Sequence, residues 1–207
     1  EDMEFWRMML QLGSEVGKSE DEVRALEALL ASDTTTEDER THHLHTLAQL
    51  RTEVLPDAAK AIEVWTEYLS RKPSDKAGHE ACLDLLERER RHRDLVNHLG
   101  LLSDLEEVEL SSEDRLGLKH RQAEVLLQDL RQPDEAAEHL EGLVGAHSDH
   151  MDGWDLLERI YREKEDKEPL ADFLSRRVAV IEDDGDAVAV LREVAALYGQ
   201  ELGNHGS

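Results

Sequence analysis

Histidine is the residue type whose spacing in this sequence most resembles a metal site. His42, His43 and His45 cluster near the start of one predicted helix, and His147 and His150 lie in a connection. His42 and His45 are three residues apart and share a helix face, as zinc ligands on helices do. No third and fourth ligand accompanies them, and in a sequence with 49 Asp and Glu residues a histidine meets carboxylates by chance. We therefore predict no metal site.

Catalytic patterns are also missing from the sequence. Two Glu-x-x-His triplets, Glu39/His42 and Glu89/His92, match half of a di-iron motif, but both lie near predicted helix ends. The sequence contains neither a Gly-x-Ser-x-Gly elbow nor a Gly-x4-Gly-Lys phosphate loop. Cys82, the single cysteine, falls at an apolar position of the repeat described below, which indicates a core residue. We predict no enzymatic activity and no cofactor.

Composition narrows the class of partner. The 207 residues carry 24 Lys and Arg against 49 Asp and Glu, a formal net charge of -25, and only 4% are aromatic. A field of this sign repels phosphate, and few rings are present to stack on bases, so we expect no nucleic-acid partner. No apolar run is long enough to span a membrane. The compartment stays open, with the cytoplasm favoured, and because the chain begins at Glu1 we expect a piece of a longer protein.

The sequence matches itself under one constant shift, which places Ala48 on Ala123 and which we call the repeat shift. The matched positions are apolar and helically spaced, so the repeat shift preserves a buried face. Further matched pairs are Ala61 with Ala136, Trp65 with Leu140, Leu85 with Ile160 and Leu99 with Leu174. We predict one domain over 1–207, with repeat units at about 36–110 and 111–183 and partial units at 1–35 and 184–207.

Helix signals divide each repeat unit into two hairpins. Ser19 and Thr36 each precede a glutamate by three residues, which predicts capping boxes. Pro56 and Pro133 stand where a helix can begin, and Pro73 follows a helix that it cannot continue. The predicted helices cover 2–12, 20–31, 38–54, 57–70, 76–90, 92–103, 112–130, 134–146, 151–164, 167–181 and 186–201.

The residues of these hairpins resemble the tetratricopeptide repeat (TPR), a 34-residue helical hairpin. The match is carried by Ala61, Trp65, Tyr68 and Pro73 in a second helix, and by Trp154, Leu157 and Tyr161 in a first helix. The glycine of the family pattern is replaced in all four central hairpins by Gln49, Leu83, Glu124 and Glu158. The resemblance implies an all-α, right-handed solenoid of stacked antiparallel hairpins with about 11 helices.

The same resemblance implies a peptide-binding groove lined by the first helix of each hairpin. The groove positions expected from it are His43, Glu80, Asp84, Arg88, Arg121, Gln128, Asp155, Arg159 and Arg162. They lack the Lys and Asn of the family's carboxylate clamp, so that specificity is not carried over. Arginines are prominent among them, and the forked guanidinium of arginine suits carboxylates.

We therefore predict a protein-interaction scaffold that binds a peptide or partner protein through the groove or an edge of the repeats. Two alternatives stay open. The chain could be a regulatory or sensory module of a larger enzyme or signalling protein. It could also be a self-assembling structural repeat, because the last partial unit presents an apolar face near Val190, Leu191, Val194 and Leu197.

Overall fold

The chain is all-α, as predicted. A computed structural model describes residues 3–54, 57–165 and 167–204, with side chains up to residue 199; these ranges contain eleven α-helices and no strand. The internal contacts divide the chain into unit 1, Glu1–Ser111, and unit 2, Ser112–Ser207. Unit 1 contains α1 (Met3–Val16), α2 (Ser19–Leu30), α3 (Glu37–Gln49), α4 (Ala58–Arg71), α5 (Lys76–Arg88) and α6 (His92–Asp104). Unit 2 contains α7 (Ser112–Gln128), α8 (Pro133–Ala146), α9 (Met151–Glu163), α10 (Lys167–Arg177) and α11 (Asp184–Asn204).

Within each unit, helices pack on their neighbours in the chain. In unit 1, α1 packs on α2, α3 on α4 and α5 on α6, and the hairpins meet through α2 with α3 and α4 with α5. In unit 2 the same order runs from α7 to α11. From α2 to α10 each helix turns one apolar stripe inward, which is how a helical repeat buries surface that a single hairpin leaves exposed, whereas Phe5, Met8, Leu12 and Val16 of α1 stay exposed.

The predicted helix start and stop signals are confirmed at three of the four places that the structure describes. Thr36 forms the predicted capping box, because its side chain accepts from the Glu39 N–H while the Glu39 carboxylate accepts from the Thr36 N–H at 3.0 Å. Pro133 begins α8, and Pro73 lies just beyond the end of α4. Pro56 lies outside the described residues.

The predicted Ser19 capping box is wrong. Lys18 occupies the N-cap position of α2 and makes no side-chain cap, so Ser19 is already the first helical residue. Other helix ends also differ from prediction, and α3 ends at Gln49, where a π-helical segment, Leu50–Val54, replaces the predicted continuation to 54. Helix α1 continues to Val16 rather than 12, and α10 gives way at Val178–Val180 to a single 3-10 turn before the predicted end at 181.

Core residues that the repeat shift relates are buried in both units. Ala61 and Ala136 are both completely buried, and so are Leu99 and Leu174. Cys82 is 1% exposed, and burial raises the pKa of its thiol to about 11, as expected of a packed core residue. Equivalent positions in the two units therefore have the same packing role.

Close helix approach also recurs at positions related by the repeat shift. Gly78 and its equivalent Gly153 stand in the first turns of α5 and α9. A Cβ on Gly78 would lie 3.2 Å from the Trp65 ring, and one on Gly153 would lie 3.1 Å from a Val144 methyl. The first turn of each of these helices thus packs against the preceding helix at a distance that a side chain would prevent.

A histidine pair joins α5 to α6 in unit 1. His79 has no exposed surface, His98 is half-buried, and the two rings are tilted at 49° with centroids 5.0 Å apart. His79 Nε2 lies 3.0 Å from the Pro73 carbonyl oxygen, and His79 Nδ1 lies 3.0 Å from His98 Nε2. A carbonyl only accepts, so Nε2 of His79 carries the proton and Nδ1 accepts from His98. Burial lowers the pKa of both rings, that of His98 to about 4.

Unit 2 has an aromatic pair at the equivalent positions. The repeat shift places Trp154 on His79 and Phe173 on His98, and the ring centroids of Trp154 and Phe173 are 5.6 Å apart. The Trp154 indole N–H donates to the Ser148 carbonyl at 3.0 Å, and Ser148 is the equivalent of Pro73, the acceptor for His79. One structural position is therefore filled by titratable rings in unit 1 and by rings that do not titrate in unit 2.

Candidate functional site

The predicted groove residues of unit 1 divide into one buried and three exposed side chains. His43 is only 9% exposed, and its Nδ1 has no hydrogen-bond partner among the described residues. Burial, the largest cause, lowers the pKa of His43, so the ring is held neutral within unit 1 rather than displayed on it. Glu80, Asp84 and Arg88 form an exposed stripe along α5, four residues apart.

In unit 2 the structure brings together four of the five predicted residues. Two adjoining depressions follow α9 and share Arg159 and Glu163. The first, of about 480 Å³, is lined by Leu127, Gln128, Arg131, Pro133, Arg159 and Glu163. The second, of about 520 Å³, is lined by Asp155, Glu158, Arg159, Arg162, Glu163 and Arg177. We call these residues together the α9 groove; Arg121, partly buried on α7, lines neither depression.

Arg162 is held by acidic side chains of its own unit. Its guanidinium donates to both carboxylate oxygens of Glu193 on α11, at 2.5 and 3.0 Å, and it also pairs with Glu158 at 2.7 Å. The hydrogen bond to Glu193 raises the pKa of Arg162 and lowers that of Glu193. This two-pronged contact ties α9 to α11, so the charge of Arg162 is already neutralised.

Arg177, at the end of α10, is neutralised in the same way. It pairs with Asp155 and with Glu158 on α9, and its side chain is only 15% exposed. The middle of the α9 groove is therefore a closed network of ion pairs that positions α9, α10 and α11. The charged side chains in this part of the groove are therefore already paired with each other and are not available to a ligand.

The first depression presents unpaired positive charge. Arg159 and Arg131 are exposed, and no ion pair to either is found among the described residues. Arg131 stands just beyond α7 with a φ of 55°, in the left-handed turn that closes the helix. Gln128 adds an exposed amide beside them, and Glu163 adds one carboxylate.

This arrangement can bind a carboxylate. Guanidinium groups donate pairs of parallel hydrogen bonds to carboxylates, and the amide of Gln128 can donate or accept beside them. Glu163, four residues after Arg159 on α9, favours ligands that also offer a donor or a cation. The side chains that line this depression are those of Leu, Gln, Arg, Pro and Glu, so they offer a ligand hydrogen bonds and charge.

Arg131 and Glu193 are the two important residues that the sequence prediction missed. The residue after a helix is usually Gly when it adopts the left-handed conformation, so an Arg there gave no turn signal. Glu193 lies 31 residues from its partner Arg162, and helical periodicity does not indicate which charges of separate helices will meet.

The histidine clusters form no metal centre within the ranges that the structure describes, because no group of three or more His, Cys, Asp or Glu side chains is arranged to hold an ion. Over the same ranges, no helix has the length and apolar character needed to cross a membrane.

Solved structures of helical-repeat proteins resemble this chain at low sequence identity. MamA protein matches with a TM-score of 0.42 at 12% identity, over 97% of this chain and 94% of that one. A tetratricopeptide repeat protein from Parabacteroides merdae matches with 0.43 at 10%, over 95% and 73%. YrrB, described as a TPR protein with an unusual peptide-binding site, matches with 0.40 at 14%, over 88% of each chain.

No family model matches the sequence, and no curated protein matches it. The order and packing of the chain's own hairpins carry the fold assignment. Over the described residues, each unit is an all-α stack of helical hairpins, the architecture that the resemblance to the TPR implies.

Proposed function

We propose that this chain is a protein-interaction scaffold and that the α9 groove binds an extended, carboxylate-bearing peptide of a partner protein. The observation that carries the proposal is the pair Arg131 and Arg159. They are exposed and unpaired in one depression, within the described part of a chain where acids outnumber bases two to one. The neighbouring Arg162 and Arg177 show that arginines in this unit readily find carboxylates of the chain itself.

The net charge of -25 does not prevent such binding at physiological salt. The Debye length there is about 8 Å, so distant carboxylates are largely screened while contacts inside the depression are not. We expect binding to strengthen as salt rises from very low concentration and screens the overall repulsion. At higher salt it should weaken, when the direct pairs are also screened.

The test uses the whole chain and a fluorescein-labelled peptide that contains Asp and Glu, with an Asn/Gln peptide of matched length as reference. Fluorescence anisotropy gives the dissociation constant. In the variant Arg131→Gln/Arg159→Gln, each lost charge-assisted contact should weaken binding roughly tenfold or more.

A matched control comes from unit 1. Lys76→Gln/Arg90→Gln makes the same change of charge, both side chains are exposed, and Arg90 also has a left-handed φ, of 53°. Binding in this control should stay within about twofold of the wild type. Equal losses in the two double variants, or no preference for the acidic peptide over the Asn/Gln peptide, would disprove the groove as drawn.

The self-assembly alternative has one observation in its favour. On α11, Val194 is buried, but Leu191 remains 50% exposed and Val188 46% exposed. We infer a second, weaker role for this face in contacts between copies. Light scattering over a concentration series, with Leu191→Gln as the comparison, tests it: a mass that stays monomeric at all concentrations excludes this role.

A further inference from the structure

A second cleft in unit 2 adjoins the α9 groove, shares Glu158 and Arg177 with it and extends to the start of α9. It has a volume of about 770 Å³ and is bounded by the start of α9, the chain after α10 and the start of α11. Its apolar wall consists of Met151, Val180, Ile181, Ala189 and Val190. Met151 is 39% exposed, so its side chain is accessible to a ligand in this cleft.

Carboxylates surround this apolar wall. Asp149, Glu158, Glu182, Asp183 and Asp186 line the cleft, and Arg177 is its only lining cation among the described residues. Arg177 is committed to Asp155 and Glu158, so it does not offset the other four acids.

Most of these acids are available to a ligand. Asp183 accepts the Asp186 backbone N–H at 2.9 Å and so serves the start of α11. Asp149, Glu182 and Asp186 are exposed, and no ion pair to them is found among the described residues. The cleft therefore combines an apolar wall with a rim of uncompensated negative charge.

We infer that this cleft binds a basic amphipathic segment of a partner protein, whose apolar side chains enter against Met151 and Val190 while its Lys or Arg side chains pair with the rim. The chemistry is opposite to that of the depression holding Arg131 and Arg159. The inference therefore stands whether or not the α9 groove binds an acidic peptide.

The experiment uses the full chain and a fluorescein-labelled 14-residue peptide of Leu and Lys with an amphipathic helical pattern. A scrambled peptide of the same composition is the reference, at about 150 mM salt. In Glu182→Gln/Asp186→Asn the dissociation constant should rise about tenfold. In the control Glu106→Gln/Glu107→Gln, which removes two exposed acids of unit 1, it should change less than twofold.

The apolar wall is tested separately. Met151→Gln should weaken binding several-fold, and Leu101→Gln, which removes a 53% exposed leucine of unit 1, should not. Circular dichroism confirms that each variant is folded, and Arg131→Gln/Arg159→Gln should leave this binding unchanged. Equal effects of the two acid pairs, equal binding of the scrambled peptide, or an unaffected Met151→Gln would overturn the inference, because each indicates general charge attraction. Absence of binding would overturn it as well.

Discussion

Replacing His98 by phenylalanine should make unit 1 less sensitive to acid. In the folded chain the pKa of His98 falls from its ordinary 6.5 to about 4, because burial and the neighbouring His79 both disfavour the charged ring. The unfolded chain, with the ordinary pKa, therefore takes up a proton first as the pH falls. Stability contributed by the neutral ring is complete above about pH 6.5 and is lost progressively between pH 6.5 and 4.

The magnitude follows from the two pKa values of His98. A difference between 6.5 and about 4 corresponds to roughly 3 kcal/mol when fully developed, and to about 2 kcal/mol of that loss at pH 5. The pKa of His79 is lowered in the same direction, so its contribution has the same sign. A phenyl ring at position 98 cannot titrate, and Phe173 shows that the fold accepts this ring at the equivalent position of unit 2.

The assay is urea unfolding followed by circular dichroism at pH 7.5 and pH 5, with amide hydrogen exchange in α5 and α6 to locate the change, since repeat arrays can unfold in parts. Between the two pH values, His98→Phe should lose about 2 kcal/mol less stability than the wild type. His139→Gln, which removes an exposed histidine, should behave as the wild type does. If wild type and His98→Phe lose the same stability, the histidine pair is not the acid-sensitive element.

Three further predictions concern packing and capping and are tested through thermal or urea unfolding. Trp65→Ala should cost about 3–5 kcal/mol, because a side chain only 4% exposed leaves a cavity; an unchanged midpoint would refute its core role. Gly153→Ala should destabilise the fold by about 1 kcal/mol, because the new Cβ would lie 2.9 Å from a histidine ring. Gly142→Ala should stabilise it by up to about 1 kcal/mol, because no atom lies within 4 Å of the new Cβ. Effects of the same sign in both variants would contradict the close approach at Gly153. Thr36→Ala should cost about 1 kcal/mol and Ser19→Ala almost nothing, because only Thr36 caps a helix; equal losses would contradict the capping assignment.

The helices could be predicted because their signals are local. The apolar spacing around Ala61 and Ala136, the proline that begins α8 and the capping box at Thr36 act within a few residues of their helices. The same kind of local pattern gave a wrong prediction at Ser19, because Lys18, one residue earlier, occupies the N-cap position of α2.

The candidate site was predictable only in part, because it depends on contacts between helices. The resemblance to the TPR placed Gln128, Asp155, Arg159 and Arg162 in one groove, and the structure brings them together along α9. The sequence did not indicate that Arg162 would be paired and Arg159 unpaired, because the pairing of Arg162 depends on Glu193, which lies on a different helix. The sequence did contain one unused signal: the repeat shift sets His79 and His98 opposite two aromatic residues, which marks them as buried.

Site-specific photocross-linking tests most directly whether the α9 groove is where a peptide binds. Benzoylphenylalanine replaces Gln128 in one variant and Glu53, its exposed equivalent under the repeat shift, in the other. After irradiation with the acidic peptide, mass spectrometry should find the cross-linked product from position 128 and not from position 53. Equal cross-linking from both positions, or from position 53 alone, would contradict the account.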